Sequence, residues 1–346
     1  MISFLVDLLC YTLCVILSGC LFLWLWNELT MGICRNKDKS LNGKTVLITG
    51  GNSGLGFETA VELARRGARL IIGCRNTKNV ENRIRLLSPM VESVDVVRLD
   101  LTSFDSIRKF SEEIKSRYDQ IHILINNAGI LKSDQASTEN GFEMTIGTNY
   151  LGHALLNKLL LDLVKRAGEV DNDYSRIILV SSIAATNKKV ASDLCRLDSG
   201  NTSYRIDFSG NNPIEQYSKS KLCQIMYGKH LAKVLKEDEC KTVVVSLHPG
   251  IVRTNIWETV KKPMIRRIVQ FWNYLIGKTP LQGAQTAIHL SLCDFSESPK
   301  DVSGTFFSDC RSRHWINHFL PKIVQDPSAC KALWDETMKA LDTVIS

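Results

Sequence analysis

From Lys44 onward the chain alternates short runs of β-branched and aliphatic residues with longer stretches whose apolar positions recur every three or four residues. The runs KTVLIT (44–49), ARLIIG (68–73), VDVVRLD (94–100), IHILIN (121–126), RIILVS (176–181) and TVVVSLH (242–248) hold too few polar positions to present one wet face. That is the pattern of parallel strands buried on both sides. Helical spacing predicts helices near 54–66, 103–117, 150–166, 216–236, 280–292 and 328–343. Strands and helices in alternation specify an α/β fold with a doubly wound parallel sheet. No repeat or low-complexity linker interrupts residues 39–346, so they read as one domain.

Two stretches break the alternation. Residues 183–216 are polar and rich in Asp, Ser, Asn and Gly, which predicts an irregular surface segment of the kind that usually serves function. In 263–277, Met264, Ile268, Phe271, Trp272 and Leu275 repeat at helical spacing behind Lys261, Lys262, Arg266 and Arg267. A helix near 264–275 could pack over a substrate pocket as core or lie in a membrane interface, and periodicity alone does not separate the two.

The start of the chain is of another kind. Leu8 to Trp26 runs for nineteen residues without a charge. At 1.5 Å per residue that is about 28 Å of helix, enough to cross a hydrocarbon core. A signal peptide would begin with basic residues and end with small ones, whereas Asp7 precedes this run and Trp24, Leu25 and Trp26 close it. Residues 1–38 therefore read as an uncleaved membrane anchor with its basic flank. Arg35, Lys37, Lys39 and Lys44 follow the run and no Lys or Arg precedes it, so the positive-inside rule puts the rest of the chain in the cytosol. The only N-x-S/T sequon, Asn201-Thr202-Ser203, should then stay unglycosylated.

Composition narrows the classes further. With 44% hydrophobic and 23% charged residues among 346, the chain is neither disordered nor fibrous. A net charge of +7 suits anionic lipid or an anionic cofactor better than nucleic acid. Eleven cysteines without a CxxC pair argue against a disulfide framework and against a zinc site, and fit a reducing compartment.

After the first strand comes Gly50-Gly51-Asn52-Ser53-Gly54-Leu55-Gly56, opening straight into a helical stretch. Glycine lets backbone approach a pyrophosphate, and a helix N-terminus offers free N–H groups and a positive dipole. Between strand and helix this is the dinucleotide turn of a Rossmann fold. The second strand ends Gly73-Cys74-Arg75, with no acid to hold a ribose 2′-OH, while Arg75 can pair with a 2′-phosphate. NADP(H) is the expected cofactor. Asp100 and Leu101, closing the third strand, are placed for the adenine edge; Asp100 could instead cap the next helix.

These glycines, Asn126-Asn127-Ala128-Gly129 after the fourth strand, Asn149, Ser182 after the fifth, Tyr217-Ser218-Lys219-Ser220-Lys221, and Pro249-Gly250 after the sixth together resemble the short-chain dehydrogenase/reductases. GCRN at 73–76, TNYLGH at 148–153, GKTPLQGAQTA at 277–287 and SGTFFSDC at 303–310 resemble the microsomal retinol dehydrogenases within that family. YxxxK occurs twice, but Tyr274 to Lys278 contains Gly277 at a predicted helix end, while Tyr217 and Lys221 share one face of a continuous helix.

In such enzymes a hydride moves between nicotinamide and a substrate carbon while a proton moves at the substrate oxygen. The Lys221 ammonium would favour the Tyr217 phenolate, lowering a pKa that is normally about 10. Ser182 would hydrogen-bond the oxygen where charge develops, with neighbouring Ser181 the alternative donor. The resemblance further implies that Lys221 binds the nicotinamide ribose and that Asn149 holds a water linking the lysine to solvent. By the same resemblance, Asn127, Ala128 and Gly129 line the cofactor cleft, and Pro249, Gly250, Val252 and Thr254 close over its nicotinamide end. His153 and His248 read as structural.

The expected function is a membrane-anchored NADP(H) oxidoreductase of the endoplasmic reticulum, its catalytic domain cytosolic, acting on a lipophilic alcohol or aldehyde, retinol and retinal first. Steroids, long-chain aldehydes and isoprenoid alcohols are alternatives, and a homo-oligomer is compatible. The rival class is an inactive nucleotide-binding membrane scaffold, which such a complete site disfavours.

Overall fold

The computed structural model describes residues 2–342 apart from 31, 35, 37, 90, 133–135, 171, 172, 198–202, 254–263, 265, 266, 268–276, 296–301, 313 and 314. Its strands are β1 (Thr45–Thr49), β2 (Arg69–Cys74), β3 (Ser93–Arg98), β4 (Ile123–Asn126), β5 (Ser175–Val180), β6 (Cys195–Leu197), β7 (Tyr204–Ile206), β8 (Thr242–His248) and β9 (Phe306–Ser308). Seven of them form one sheet in the order β3-β2-β1-β4-β5-β8-β9, with all neighbours parallel, while β6 and β7 make a separate antiparallel pair.

The helices are α1 (Ile2–Thr30), α2 (Gly54–Arg65), α3 (Val80–Leu87), α4 (Phe104–Arg117), α5 (Gly152–Val170), α6 (Lys188–Leu194), α7 (Pro213–Glu237), α8 (Pro280–Leu292) and α9 (Pro327–Asp342). Period-two alternation sends the strand side chains to opposite layers. Val46 and Ile48 of β1 pack with Ala60 of α2, Ile84 of α3 and Ile288 of α8. Leu47, between them, joins Phe110 of α4, Leu155 of α5, Leu222 of α7 and Leu333 of α9. Both faces are dry along the central strands β1, β4, β5 and β8, which could therefore be as uniformly apolar as the sequence shows, while edge strand β3 is only half-buried.

From β1 the chain builds outward through β2 and β3 on one side and through β4, β5, β8 and β9 on the other. The helices that follow β1 and β4 lie on opposite faces of the sheet, opening a crevice at its carboxyl end. Arg176 of β5 fixes α8 from below: its buried guanidinium donates to the carbonyls of Ser291 at 2.6 Å and Cys293 at 3.0 Å, at that helix's C-terminus.

Residues 183–216 are not irregular throughout. They hold a 3-10 turn (Ile183–Thr186), α6 and the β6–β7 pair, and Val190, Ala191 and Leu194 are buried. With α6 seven residues long and each strand three, every element is shorter than the window in which periodicity speaks. The eight-residue α3 and three-residue β9 escaped sequence reading for the same reason.

The side chains of α1 are described for only part of its length, and among the described residues no helix is long and apolar enough to cross a membrane. Those that are described are exposed, Val6, Leu8, Leu13, Leu17 and Phe22 among them, except for half-buried Cys20. Of the helix predicted near 264–275 only Met264 and Arg267 are among the described residues. Thr254, Asn201 and Tyr274 lie outside them.

Helix α5 meets the start of β8 so closely that a Cβ on Gly168 would stand 2.2 Å from the Lys241 carbonyl oxygen. Gly168→Val should therefore lower stability by about 1–3 kcal/mol, read as a lower urea midpoint at unchanged m-value.

Candidate active site

At the end of β1 the chain turns through Gly50, at φ +68°, into α2. A Cβ on Gly50 would come within 3.1 Å of Ala128 Cα, and one on Gly56 within 2.4 Å of Asn127 Nδ2 and 2.5 Å of the Gly50 oxygen. These two glycines let the loops after β1 and β4 lie against one another. Asn127 stitches them: its Nδ2 donates to the Thr49 carbonyl at 2.9 Å, while the backbone N–H groups of Asn127 and Ala128 both donate to Thr49 Oγ1 at 3.0 Å. Ser53 is the N-cap of α2, yet its hydroxyl makes no capping bond. The opening N–H groups of that helix are thus left for a ligand anion.

The crevice is a cleft of about 630 Å³. Gly50, Ser53, Gly54 and Leu55 form its wall at α2, and Arg75, Asp100 and Leu101 form the wall beyond β2 and β3. Asn127, Ala128 and Gly129 form its floor; Ser182, Tyr217, Lys221, Pro249, Gly250 and Val252 bound its other end. Asn52, Gly56 and Asn149 are not part of this lining. Arg75 is exposed, with no carboxylate partner among the described residues. Asp100 does not cap α4, a role taken by Ser103; its Oδ1 accepts from the backbone N–H and hydroxyl of Thr102 at 3.0 and 2.8 Å.

The catalytic candidates meet where α7 runs beneath the end of β5. Asn212 caps α7, accepting from the N–H groups of Ile214 and Glu215, and Pro213 fits its first turn. One turn further on, Tyr217 is half-buried at the cleft and Lys221 is buried. Lys221 Nζ donates to the Val180 carbonyl at 2.7 Å and to Gln224 Oε1 at 3.1 Å, and lies 5.7 Å from the Tyr217 ring centre. The two serines divide cleanly. Ser181 is buried and donates to the Lys221 carbonyl at 2.6 Å, whereas Ser182, half-buried, accepts from Ala184 N–H at 3.2 Å and hydrogen-bonds Tyr217.

Burial dominates the electrostatics. It lowers Lys221 from the ordinary lysine value to about 7, and it raises Tyr217 above its usual 10, with the Ser182 hydrogen bond opposing. The expected lowering of Tyr217 by Lys221 is not what this arrangement gives, because the amine is turned to Val180 and Gln224 and is itself driven toward neutrality.

Asn149 lies in a π turn (Gly147–Leu151) ahead of α5. Its amide exchanges two bonds with the backbone of Ile130, at 2.8 and 2.9 Å, and donates to Ser220 Oγ at 3.0 Å. Its carbonyl accepts from Gln224 Nε2 at 2.9 Å and sits 2.8 Å from His153 Nδ1. That carbonyl can only accept, so Nδ1 carries the proton and Nε2 accepts from Thr49 Oγ1 at 2.8 Å. Burial holds His153 neutral, at about 4. One network thus runs from the glycine turn to the buried lysine. Sequence reasoning did not find Gln224, Ser220 or Thr49 in it. Spacing could have found Gln224, which lies three residues after Lys221 and therefore on its helix face. His248 Nδ1 accepts from Ile183 N–H at 3.1 Å and so steadies the turn after Ser182.

Sheet, glycine turn and tyrosine–lysine helix define a dinucleotide-dependent oxidoreductase, and comparison with known proteins gives its family. Residues 44–192 match the sequence profile described as short chain dehydrogenase. Mouse retinol dehydrogenase 14 is 38% identical over 309 residues, spanning 85% of each chain. Bovine retinol dehydrogenase 12 is 35% identical over 315 residues, 90% of each. Among solved structures, a protein of Mycobacterium paratuberculosis superposes with a TM-score of 0.62 at 25% identity, covering 88% of this chain and 96% of its own. NADPH-bound carbonyl reductase from chicken fatty liver shares the fold at 20% identity and a TM-score of 0.57, covering 79% and 99%. So does the 3-ketoacyl-(acyl-carrier-protein) reductase of Brucella melitensis complexed with NADH, at 23% and 0.55, covering 78% and 97%. The chain belongs to the short-chain dehydrogenases, in the retinol dehydrogenase branch. It is an oxidoreductase working with a nicotinamide cofactor, for which the glycine turn and uncapped α2 are a fitting cradle.

Two outcomes are expected. Gly56→Ala pushes Asn127 off the glycine turn, and dinucleotide binding measured by calorimetry should weaken at least tenfold. The unfolded state holds the Lys221 proton up to about pH 10 while the folded state releases it near 7, so between those values unfolding takes up a proton and stability rises with pH. The stability difference between wild type and Lys221→Met, followed by urea unfolding across pH 7–10, should therefore move in favour of wild type by up to about 1.4 kcal/mol per unit.

Proposed function

We propose that the protein is a membrane-anchored NADP(H)-dependent oxidoreductase interconverting a lipophilic alcohol and its aldehyde or ketone, retinol and retinal first. The observation that carries the reading is the convergence of two hydroxyls, Tyr217 and Ser182, on the cleft with a buried amine behind them.

A nicotinamide, when bound, supplies or accepts the hydride. In the reducing direction Tyr217 gives its phenolic proton to the substrate oxygen. Ser182 accepts from Ala184 N–H, which leaves its own proton to donate to that same oxygen as charge develops. Lys221, with Asn149 and Gln224, holds the tyrosine's surroundings in register, and when charged it would favour the phenolate. Pro249, Gly250 and Val252 would bound the nicotinamide end, while Ser53, Gly54 and Leu55 would lie at the pyrophosphate.

The choice of NADP(H) is supported by Arg75, exposed at the cleft without an acid beside it on β2. A lipophilic substrate is supported by Ile183, Ile214 and Ile251, which line the cleft yet remain 37%, 60% and 53% exposed, and by the names of the relatives. The other lipophilic carbonyls, steroid, long-chain or isoprenoid, would meet the same apolar rim. For residues 1–38 as an anchor, the support is the uncharged run from Leu8 to Trp26 and the outward apolar side chains of α1, which no core covers. The basic flank supports a domain, residues 39–346, on the cytosolic face of the endoplasmic reticulum.

Full-length protein assayed with NADPH or NADH against retinal and other aldehydes tests this reading. NADPH should be preferred in kcat/KM, and Arg75→Asp should reduce that preference at least tenfold. Tyr217→Phe should lower kcat by orders of magnitude and Ser182→Ala by about 10²–10³, while Ser181→Ala should keep its kcat and lose stability. Preference for NADH, or equal losses from the two serines, would contradict it.

A further inference from the structure

The segment after α1 is keyed into the body at the carboxyl end of the sheet. A Cβ on Gly32 would stand 2.0 Å from the Asp309 carbonyl oxygen, so only glycine fits there without displacing backbone. Two residues on, the N–H of buried Cys34 donates to Gln285 Oε1 of α8 at 3.1 Å, and Asn36 Nδ2 donates to the Leu292 carbonyl at 3.1 Å. This linker thus runs along α8 from the cleft end of the sheet toward the start of β1.

The residue it meets is strained. Asp309 and Cys310, next to the end of β9, are consecutive non-glycine residues in the left-handed region, at φ +51° and +59°. The Asp309 carboxylate pairs with the Lys278 ammonium, both side chains being largely buried. Lys278 in turn holds the loop that bounds the cleft. Its N–H donates to the Ile251 carbonyl at 2.7 Å, its carbonyl accepts from Arg253 N–H at 2.9 Å, and its stem lies where a Cβ on Gly250 would come within 2.8 Å. Val252, on the same loop, packs so near Gly283 and Leu55 that a Cβ on Gly283 would sit 2.5 Å from the Val252 side chain and 2.7 Å from that of Leu55 in α2.

We infer that Lys278 and Asp309 are positioning residues, a latch by which the segment following α1 sets the Pro249–Val252 loop against the cofactor cleft. The inference rests on the reading that this loop closes over the nicotinamide end. Neither residue touches the cleft's hydroxyls, so the latch acts on cofactor affinity rather than on proton transfer. A buried pair broken on one side leaves an uncompensated charge and can unfold the chain, so the informative variant removes both charges.

In the full-length protein, Lys278→Met/Asp309→Leu should raise the NADPH Kd, by calorimetry, about tenfold, and its KM in parallel, with kcat at saturating NADPH within about threefold of wild type. Gly32→Leu should raise the same Kd at least threefold in the wild-type background and by less than half as much in the paired variant, because the route it acts through is gone. Unchanged Kd in the paired variant, while Gly56→Ala still weakens binding, overturns the latch and leaves the cofactor reading intact. Additive effects of Gly32→Leu and the paired variant also overturn it. Wild type that fails to bind NADPH or NADH overturns both readings.

Discussion

An amine can be taken out of water only where close polar partners offset its lost hydration, and at Lys221 those partners are the Val180 carbonyl at 2.7 Å and the Gln224 amide at 3.1 Å. Much of the site follows from that constraint. Val180 ends β5 and Gln224 belongs to α7, so satisfying the amine fixes helix against strand. Ser181 tightens the same joint through the Lys221 carbonyl. With α7 held there, Tyr217 one turn earlier stands against half-buried Ser182, two residues beyond the strand.

The same polar chain reaches the cofactor side. From Gln224 it passes to the Asn149 carbonyl, through His153 to Thr49, and from Thr49 Oγ1 to the backbone of Asn127 and Ala128. Every member is buried or half-buried, so each is costly to leave unpaired and the network specifies one arrangement. The neutral His153 fits this role, since a charged ring could not accept from Thr49. A cradle for phosphate and a pair of reactive hydroxyls, built on different strands, are in this way held in one register by a largely buried polar network.

Much of this was legible in the chain. The six long strands announced themselves because burial on both faces leaves unbroken apolar runs, and the glycine turn and Tyr217–Lys221 spacing carry their geometry in their residue types. Short elements did not: α3, α6, β6, β7 and β9 fall below the length at which a period can be counted. The resemblance favoured Ser182 over Ser181, but the physical difference between them, that Ser181 is buried against α7, lies in the fold. Residue type suggests an ammonium at Lys221; burial, invisible in the sequence, lowers its pKa to about 7. Lys278 stood out only as part of a second YxxxK match, and its pairing with Asp309 joins positions far apart in the chain.

Burial raises Tyr217 and lowers Lys221, so an anion bound in the cleft should restore charge to the amine and through it favour the phenolate. The direct test is to titrate the Tyr217 phenol by ultraviolet absorbance, as the difference between wild type and Tyr217→Phe, with and without saturating NADP⁺. Without cofactor the midpoint should lie above the ordinary value of about 10. With cofactor it should fall, and Lys221→Met should abolish that fall. A midpoint unmoved by cofactor, or moved equally in Lys221→Met, would contradict the claim.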